Sequence, residues 1–175
     1  MKHIITSIAV FLLFLSGFGN TGFAQSKIGY VDIDYILKNL PEAQEAQRKL
    51  DQLVDTWQKE LSKLEKEWQD KFEDYDKRKL ILTDAGRAAA EKELRELDQK
   101  ILNFRDQKFG QNGELFKKED ELMKPIQDKV FAMVDEIAKA EDYDYILDKS
   151  GGVIILYAKD KYDLTQKVLD RLLKK

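Results

Sequence analysis

The chain has 175 residues, of which 36% are charged, yet its formal net charge is only −3 and the two signs interleave along its middle. Interleaving of this kind marks solvated helix faces and excludes the basic footprint of a nucleic-acid binder. There is no cysteine, and the one histidine is His3, which rules out disulfides, thiol chemistry, a thiolate metal site and a lipid-bearing cysteine.

The N-terminus reads as an export signal. Met1, Lys2 and His3 make a short basic start, and residues 4–15 are apolar except for Thr6 and Ser7. Gly22 and Ala24, two apart, suit cleavage after Ala24. The run is shorter than the ~20 apolar residues that span a bilayer. Residues 1–24 are therefore expected to be removed, and His3 goes with them. That takes away the commonest general base and metal ligand. No glycine-rich phosphate loop or Asp-rich calcium loop occurs, so the expectation is a protein with no enzymatic activity, no cofactor and no metal.

Residues 27–33 alternate apolar with small or polar side chains and predict a strand. One or two helical turns follow at 34–39, and Pro41 suits the first turn of a new helix. From Ala46 the spacing becomes regular. Ala46, Leu50 and Leu53 are followed by Trp57, Leu61 and Leu64, then by Trp68, Phe72 and Tyr75. Each triplet repeats the last after eleven residues, or 3.67 residues per turn, which predicts a nearly straight helix with a narrow apolar stripe. Forty residues at this rise extend about 60 Å, so the helix must project from its domain.

The stripe fails after Leu82. Thr83 and Asp84 offer helix N-cap chemistry, and a returning helix is predicted on Ala90, Leu94, Leu97, Ile101 and Phe104. Its seam shifts but continues through Phe109, Leu115, Phe116, Leu122 and Met123. Two long helices joined by a short break cover each other's stripes as an antiparallel pair. Gly110 and Gly113 lie in the returning helix as possible points of bending, and Pro125 is read as a kink where the arm meets the body.

Residues 143–148 and 153–157 read as two strands, with Ser150, Gly151 and Gly152 as a hairpin turn between them. The unbroken apolar run at 153–156 predicts burial on both faces. Asp163 is expected to cap a last helix at 164–173. Three strands make too small a core to carry a 60 Å arm, so the body would gain most by oligomerising.

The fold expected is thus α+β and mostly helical: a long antiparallel helical hairpin projecting from a small strand-containing body that oligomerises. The arm spans 42–124 with its tip near 80–86, and the body is built from 25–41 and 125–175.

This order of elements resembles the Skp/OmpH family of periplasmic chaperones over essentially the whole mature chain. The resemblance rests on the Lys27-Ile28-Gly29-Tyr30-Val31-Asp32-Ile33 opening, the long charged hairpin and Lys124-Pro125-Ile126. It also rests on Tyr145 to Asp148, and on Tyr157 followed by Tyr162-Asp163-Leu164-Thr165. It implies a periplasmic homotrimer whose strands form a small barrel and whose arms enclose a cavity. It also implies ATP-independent holding of unfolded outer-membrane β-barrel proteins, with no catalytic residues. One departure stands out: well-known members are strongly basic, and this chain is slightly acidic.

The residues singled out for each role follow. Leu80, Ile81 and Leu82 form a consecutive apolar run at the tip and are client-contact candidates. Trp57, Trp68, Phe72 and Phe109 are further client candidates, although their helical spacing also fits packing inside the hairpin. Lys77, Arg78, Lys79 and Arg87 at the tip read either as a solvated helix end or as a contact for anionic lipid headgroups or lipopolysaccharide. Ile28, Tyr30, Val153, Ile154, Ile155 and Leu156 are the trimer-body candidates. Unfolded outer-membrane proteins and further copies of the chain are the expected partners. A trimeric structural or adaptor protein of the cell envelope is the alternative reading.

Overall fold

The computed structural model describes residues 26–174, so the expected signal at 1–24 lies outside the described residues. The elements are β1 (Ile28–Val31), α1 (Ile33–Asn39), α2 (Pro41–Arg78), α3 (Asp84–Phe109), α4 (Glu114–Ala140), β2 (Tyr145–Asp148), a 3-10 turn (Asp160–Tyr162) and α5 (Thr165–Leu173). Mostly helical architecture with a small strand body is what the sequence predicts.

Local chemistry sets the first boundaries. The Asp32 side chain accepts from the Tyr35 amide at 2.8 Å and caps α1. Pro41 is the first residue of α2, where its missing N–H leaves no orphan. The 38 residues of α2 correspond to roughly 57 Å. Ala43, Ala46, Leu50, Trp57 and Leu64 are buried along it. The helix ends at Arg78, so Leu80 and Ile81 lie in the turn rather than on the helix. The Thr83 hydroxyl accepts from the Gly86 amide at 3.1 Å, and α3 starts there.

The returning side departs from expectation. It is two helices, broken at residues 110–113, and not one helix with a flexible stretch. Gly110 takes an extended ψ of 168° and Gly113 one of 179°. Three backbone bonds hold the break: Gly110 N to Asp106 O and Gly113 N to Gly110 O, each 2.9 Å, and Lys117 N to Gly113 O at 3.2 Å. A β-carbon on Gly110 would lie 2.3 Å from the Asp106 carbonyl oxygen. The shift expected in the seam is real, but it is made by leaving the helix. One consequence is that Phe116 is exposed rather than part of the seam. Pro125, by contrast, lies inside an uninterrupted α4. The next residue, Ile126, is the first α4 side chain buried in the body core, so the packing changes there while the helix runs on.

Two cores result. The body core gathers Val31 and Ile36 from the N-terminal end, Val130 and Ile137 from α4, and Leu164 and Val168 from the C-terminal end. The arm core is smaller: Leu64 of α2 against Leu97 and Ile101 of α3, flanked by Leu61, Trp68 and Phe104. Ion pairs cross the arm outside this seam, Lys71 to Glu93 at 2.7 Å and Arg105 to Glu65.

Helix α4 ends in a Schellman arrangement. The Tyr143 amide reaches the Ala138 carbonyl at 3.0 Å, and Asp142 takes the left-handed φ of 57° that this motif demands. The chain then enters β2, which pairs with β1 in parallel, Ile28 opposite Tyr145 and Val31 opposite Asp148. Parallel neighbours need a long crossover, and here the whole arm supplies it.

The hairpin expected between 143–148 and 153–157 does not form. The described sheet has two strands, and 153–157 is irregular chain with a bend at Leu156 and no partner strand. Burial on both faces fails with it: Val153 is 46% exposed, Ile154 85% and Leu156 94%. The strand that pairs with β2 is β1 instead, and among the described residues the other edge of β2 stays open. One chain then offers these side chains nothing to pack against. The final helix begins at Thr165, and the Asp163 carboxylate accepts from its amide at 2.9 Å.

Candidate functional site

Three surfaces carry the residues picked out from the sequence. At the tip, Leu80 is 90% exposed and Ile81 82%, while Leu82 is partly covered beside Gly86. The hairpin turn has too few residues to cover its own apolar run. The four tip cations each sit next to a carboxylate on the same helix. Arg78 lies 2.9 Å from Asp74, Lys79 2.6 Å from Asp76, Arg87 3.6 Å from Asp84, and Lys77 4.0 Å from Glu73. The local excess of positive charge read from residues 77–79 is therefore largely balanced, and the hydrogen bond from Lys79 to Asp76 raises the lysine's pKa. Such exposed pairs steer charge more than they stabilise.

Along the arm the aromatic candidates separate. Trp57 is buried and meets Phe109 edge-on at 6.0 Å. Lys108 lies over both Trp57, at 5.1 Å, and Phe104, at 5.9 Å, and pairs with Glu114 at 2.6 Å across the helix break. These residues pack the arm. Trp68 stacks on Phe72 at 5.2 Å, and the outer ring of that pair, Phe72, is 43% exposed. Nearby, the Tyr75 hydroxyl donates to Glu91 at 2.7 Å, and that bond is the main cause of its raised pKa.

The third surface is one face of the body sheet. In β1, Gly29 and Val31 turn into the core, and Ile28 and Tyr30 turn out. In β2, Tyr145 and Leu147 are the exposed members of the alternation. The register sets Ile28 beside Tyr145 and Tyr30 beside Leu147, which makes one apolar patch. A cavity of about 610 Å³ lies between this patch and the segment that follows residue 154, walled by Ile28, Tyr30, Leu147, Ile155, Tyr157 and Tyr162. Of the body candidates, the structure brings Ile28, Tyr30 and Ile155 around this recess, while Val153, Ile154 and Leu156 line a neighbouring hollow beside Tyr30; the tip and arm candidates lie far along the chain from both.

Tyr145, Leu147 and Tyr157 read as strand residues in the sequence but do not figure among the body candidates. The signal was available in the period-two alternation at 145–148, but it gains meaning only once the parallel partner is known. The charged rim of this face was missed as well. Lys149 lies 3.7 Å from Asp32 and 3.5 Å from Asp163, with its ammonium 5.5 Å from the Tyr30 ring centre. Burial alone would raise the Asp163 pKa, but hydrogen bonds from Thr165 and the charge of Lys149 outweigh it and hold the carboxyl below its ordinary value.

Among the described residues no cluster of three or more His, Cys, Asp or Glu side chains is placed to hold a metal ion. No helix among them is long and apolar enough to cross a membrane.

Comparison with known proteins follows the same lines. No curated protein matches the chain. Among solved structures, one from Caulobacter crescentus, assigned as an OmpH-like outer membrane chaperone, superposes with a TM-score of 0.68 at 12% identity, covering 88% of each chain. At that identity the likeness is one of fold. The family described as outer membrane protein (OmpH-like) matches residues 27–172. From β1 to the last helix, this chain belongs to the OmpH-like outer membrane protein family.

Proposed function

We propose that this protein is an exported, ATP-independent holdase that binds unfolded outer-membrane β-barrel proteins and keeps them from aggregating. In this reading it works as a homotrimer in the periplasm, with three arms around a cavity. The observation that carries it is the uncovered apolar surface at both ends of a charged arm. Leu80 and Ile81 stand bare at the tip, and Ile154, Leu156 and Tyr157 stand bare at the body. Apolar exposure on this scale marks surfaces meant for another chain.

The two ends have different roles. The body patch shares a recess with Ile155 and Tyr157 of the unpaired segment 153–157, and strand addition from further copies would satisfy both its side chains and its backbone. The tip is small and sits on a turn, which suits weak contact with many sequences. Several weak contacts from three arms raise total affinity without a strong single one, so release needs no nucleotide once the client buries its own apolar surface. Membership in the OmpH-like family supports a chaperone kind of function. The balanced charge at the tip favours a solvated helix end over a contact for anionic headgroups.

The test is direct. Mature protein is mixed with a urea-denatured porin, diluted without ATP, and followed by light scattering. Suppression of aggregation is expected. No suppression at a threefold molar excess of trimer overturns the holdase reading and favours an envelope adaptor. Sedimentation checks assembly separately, and a monomer at micromolar concentration overturns the trimer.

A further inference from the structure

Helix α3 bears three side-chain amides at steps of four, Gln99, Asn103 and Gln107, all exposed. Gln111 follows at the same sequence interval but lies in the break after the helix, off the ridge. In a chain with 36% charged residues, three successive uncharged positions on one ridge stand apart from their surroundings. The three helical amides border a shallow groove of about 450 Å³ together with Glu96, Lys100 and the half-buried ring of Phe104.

The amides are ordered and only partly used. The Gln99 amino group donates to the Asn103 carbonyl oxygen at 2.9 Å. That leaves the Gln99 carbonyl and the Asn103 amino group uncommitted, and the Gln107 side-chain amide has no hydrogen-bond partner among the described residues. A side-chain amide carries both donors and acceptors, as a peptide group does.

The spacing is the decisive feature. Four residues of helix rise about 6 Å. An extended chain presents the N–H and C=O groups of one edge every second residue, about 6.4–6.8 Å apart. The mismatch is under about 1 Å per step, within the reach of a rotatable Gln or Asn. Glu96 and Lys100 carry opposite signs at the rim, so the groove presents a neutral field to a neutral backbone. The Phe104 ring at its base can receive an apolar side chain.

We propose that this amide row hydrogen-bonds the backbone of an extended, unfolded polypeptide segment, a grip indifferent to side-chain sequence because it reads the one feature all such chains share. The proposal rests on the holdase reading and specifies where on the arm a client is held.

The test uses the mature protein and a variant carrying Gln99→Met, Asn103→Leu and Gln107→Met. Met matches Gln in length and helix propensity, and Leu gives position 103 a larger side chain of higher helix propensity than Asn, so the hydrogen-bonding groups go without loss of helix-forming tendency. Helix content by circular dichroism should not fall. Binding of a fluorescent denatured porin, of a peptide of alternating Val and Thr, and of its ester-for-amide analogue is followed by anisotropy. The unaltered protein should bind the peptide about tenfold more tightly than the ester, the loss expected from one or two net hydrogen bonds. The variant should bind the two alike and the porin about tenfold more weakly. Equal affinity of the unaltered protein for peptide and ester overturns backbone recognition. A variant that holds the porin as well as the unaltered protein overturns the row as the grip, leaving the holdase reading intact. Failure of the unaltered protein to bind the porin overturns the holdase reading and the row with it.

Discussion

Replacing Gly110 by alanine separates a broken returning strand of the hairpin from a continuous one by the sign of the effect. In a helix that ran through 110, the change would raise stability by about 1 kcal/mol, because glycine is the poorer helix former. In the structure the added carbon would fall 2.3 Å from the Asp106 carbonyl oxygen, and contacts under 3.0 Å are essentially never seen. Something must move by at least 0.7 Å (3.0 less 2.3). The oxygen that must yield also accepts the Gly110 amide at 2.9 Å. Overpacking of this kind costs about 1–3 kcal/mol, and weakening the bond adds up to about 1 kcal/mol. A net loss of about 2–3 kcal/mol is expected. With a urea slope near 2 kcal/mol per molar, the midpoint should fall by about 1 M. It is read from helix ellipticity at one fixed protein concentration, since assembly would make it concentration-dependent. A midpoint that stays put or rises would refute the account of the break.

Truncating Ile137, which is fully buried in the body core, to alanine should cost about 2–5 kcal/mol in the same assay. Thr83→Ala removes the cap on α3 and should cost about 1 kcal/mol, with faster amide exchange in the first turn of that helix. Leu80→Ser with Ile81→Ser should shift stability by less than about 0.5 kcal/mol, since neither side chain is covered, while weakening suppression of porin aggregation by light scattering. The hydrogen bond from Lys167 is the first cause of the lowered Glu141 pKa. A depressed carboxylate contributes stability that is fully present above its unfolded-state value, about pH 4.3, and is lost as pH falls through the lower folded value. Lys167→Met should therefore differ in urea midpoint from the unaltered protein at pH 7 and converge with it below that window.

The outgoing helix was legible because its information is local. An eleven-residue stripe, a proline at the first position of α2 and Thr83 before α3 each act within a few residues, and the structure places the helices accordingly. The break at 110–113 was not legible in the same way. Glycine is compatible with a weak helix or with none, and only the clash at Asp106 decides between them. Strand pairing failed for the opposite reason. Ser150, Gly151 and Gly152 gave a sound local case for a hairpin, but the strand that pairs with β2 lies 117 residues away and runs parallel to it. The exposed face of the sheet then combines alternate residues from both chain ends, a pattern that neither end displays alone. At the tip the cations were visible in sequence, while their pairing with carboxylates three or four residues earlier is settled only when side-chain positions are known.

The parallel pairing of β1 with β2 also sets a timetable. The first strand is made at residue 28 and its partner only at residue 145. Bringing the two together closes a loop of 117 residues of chain. Helical contacts within the hairpin close over shorter stretches of chain and have a lower entropy of closure. The extremity farthest from the chain ends is thus ready first, and the base that anchors it locks last. Until the segment at 145–148 docks, each copy bears an unpaired strand of its own.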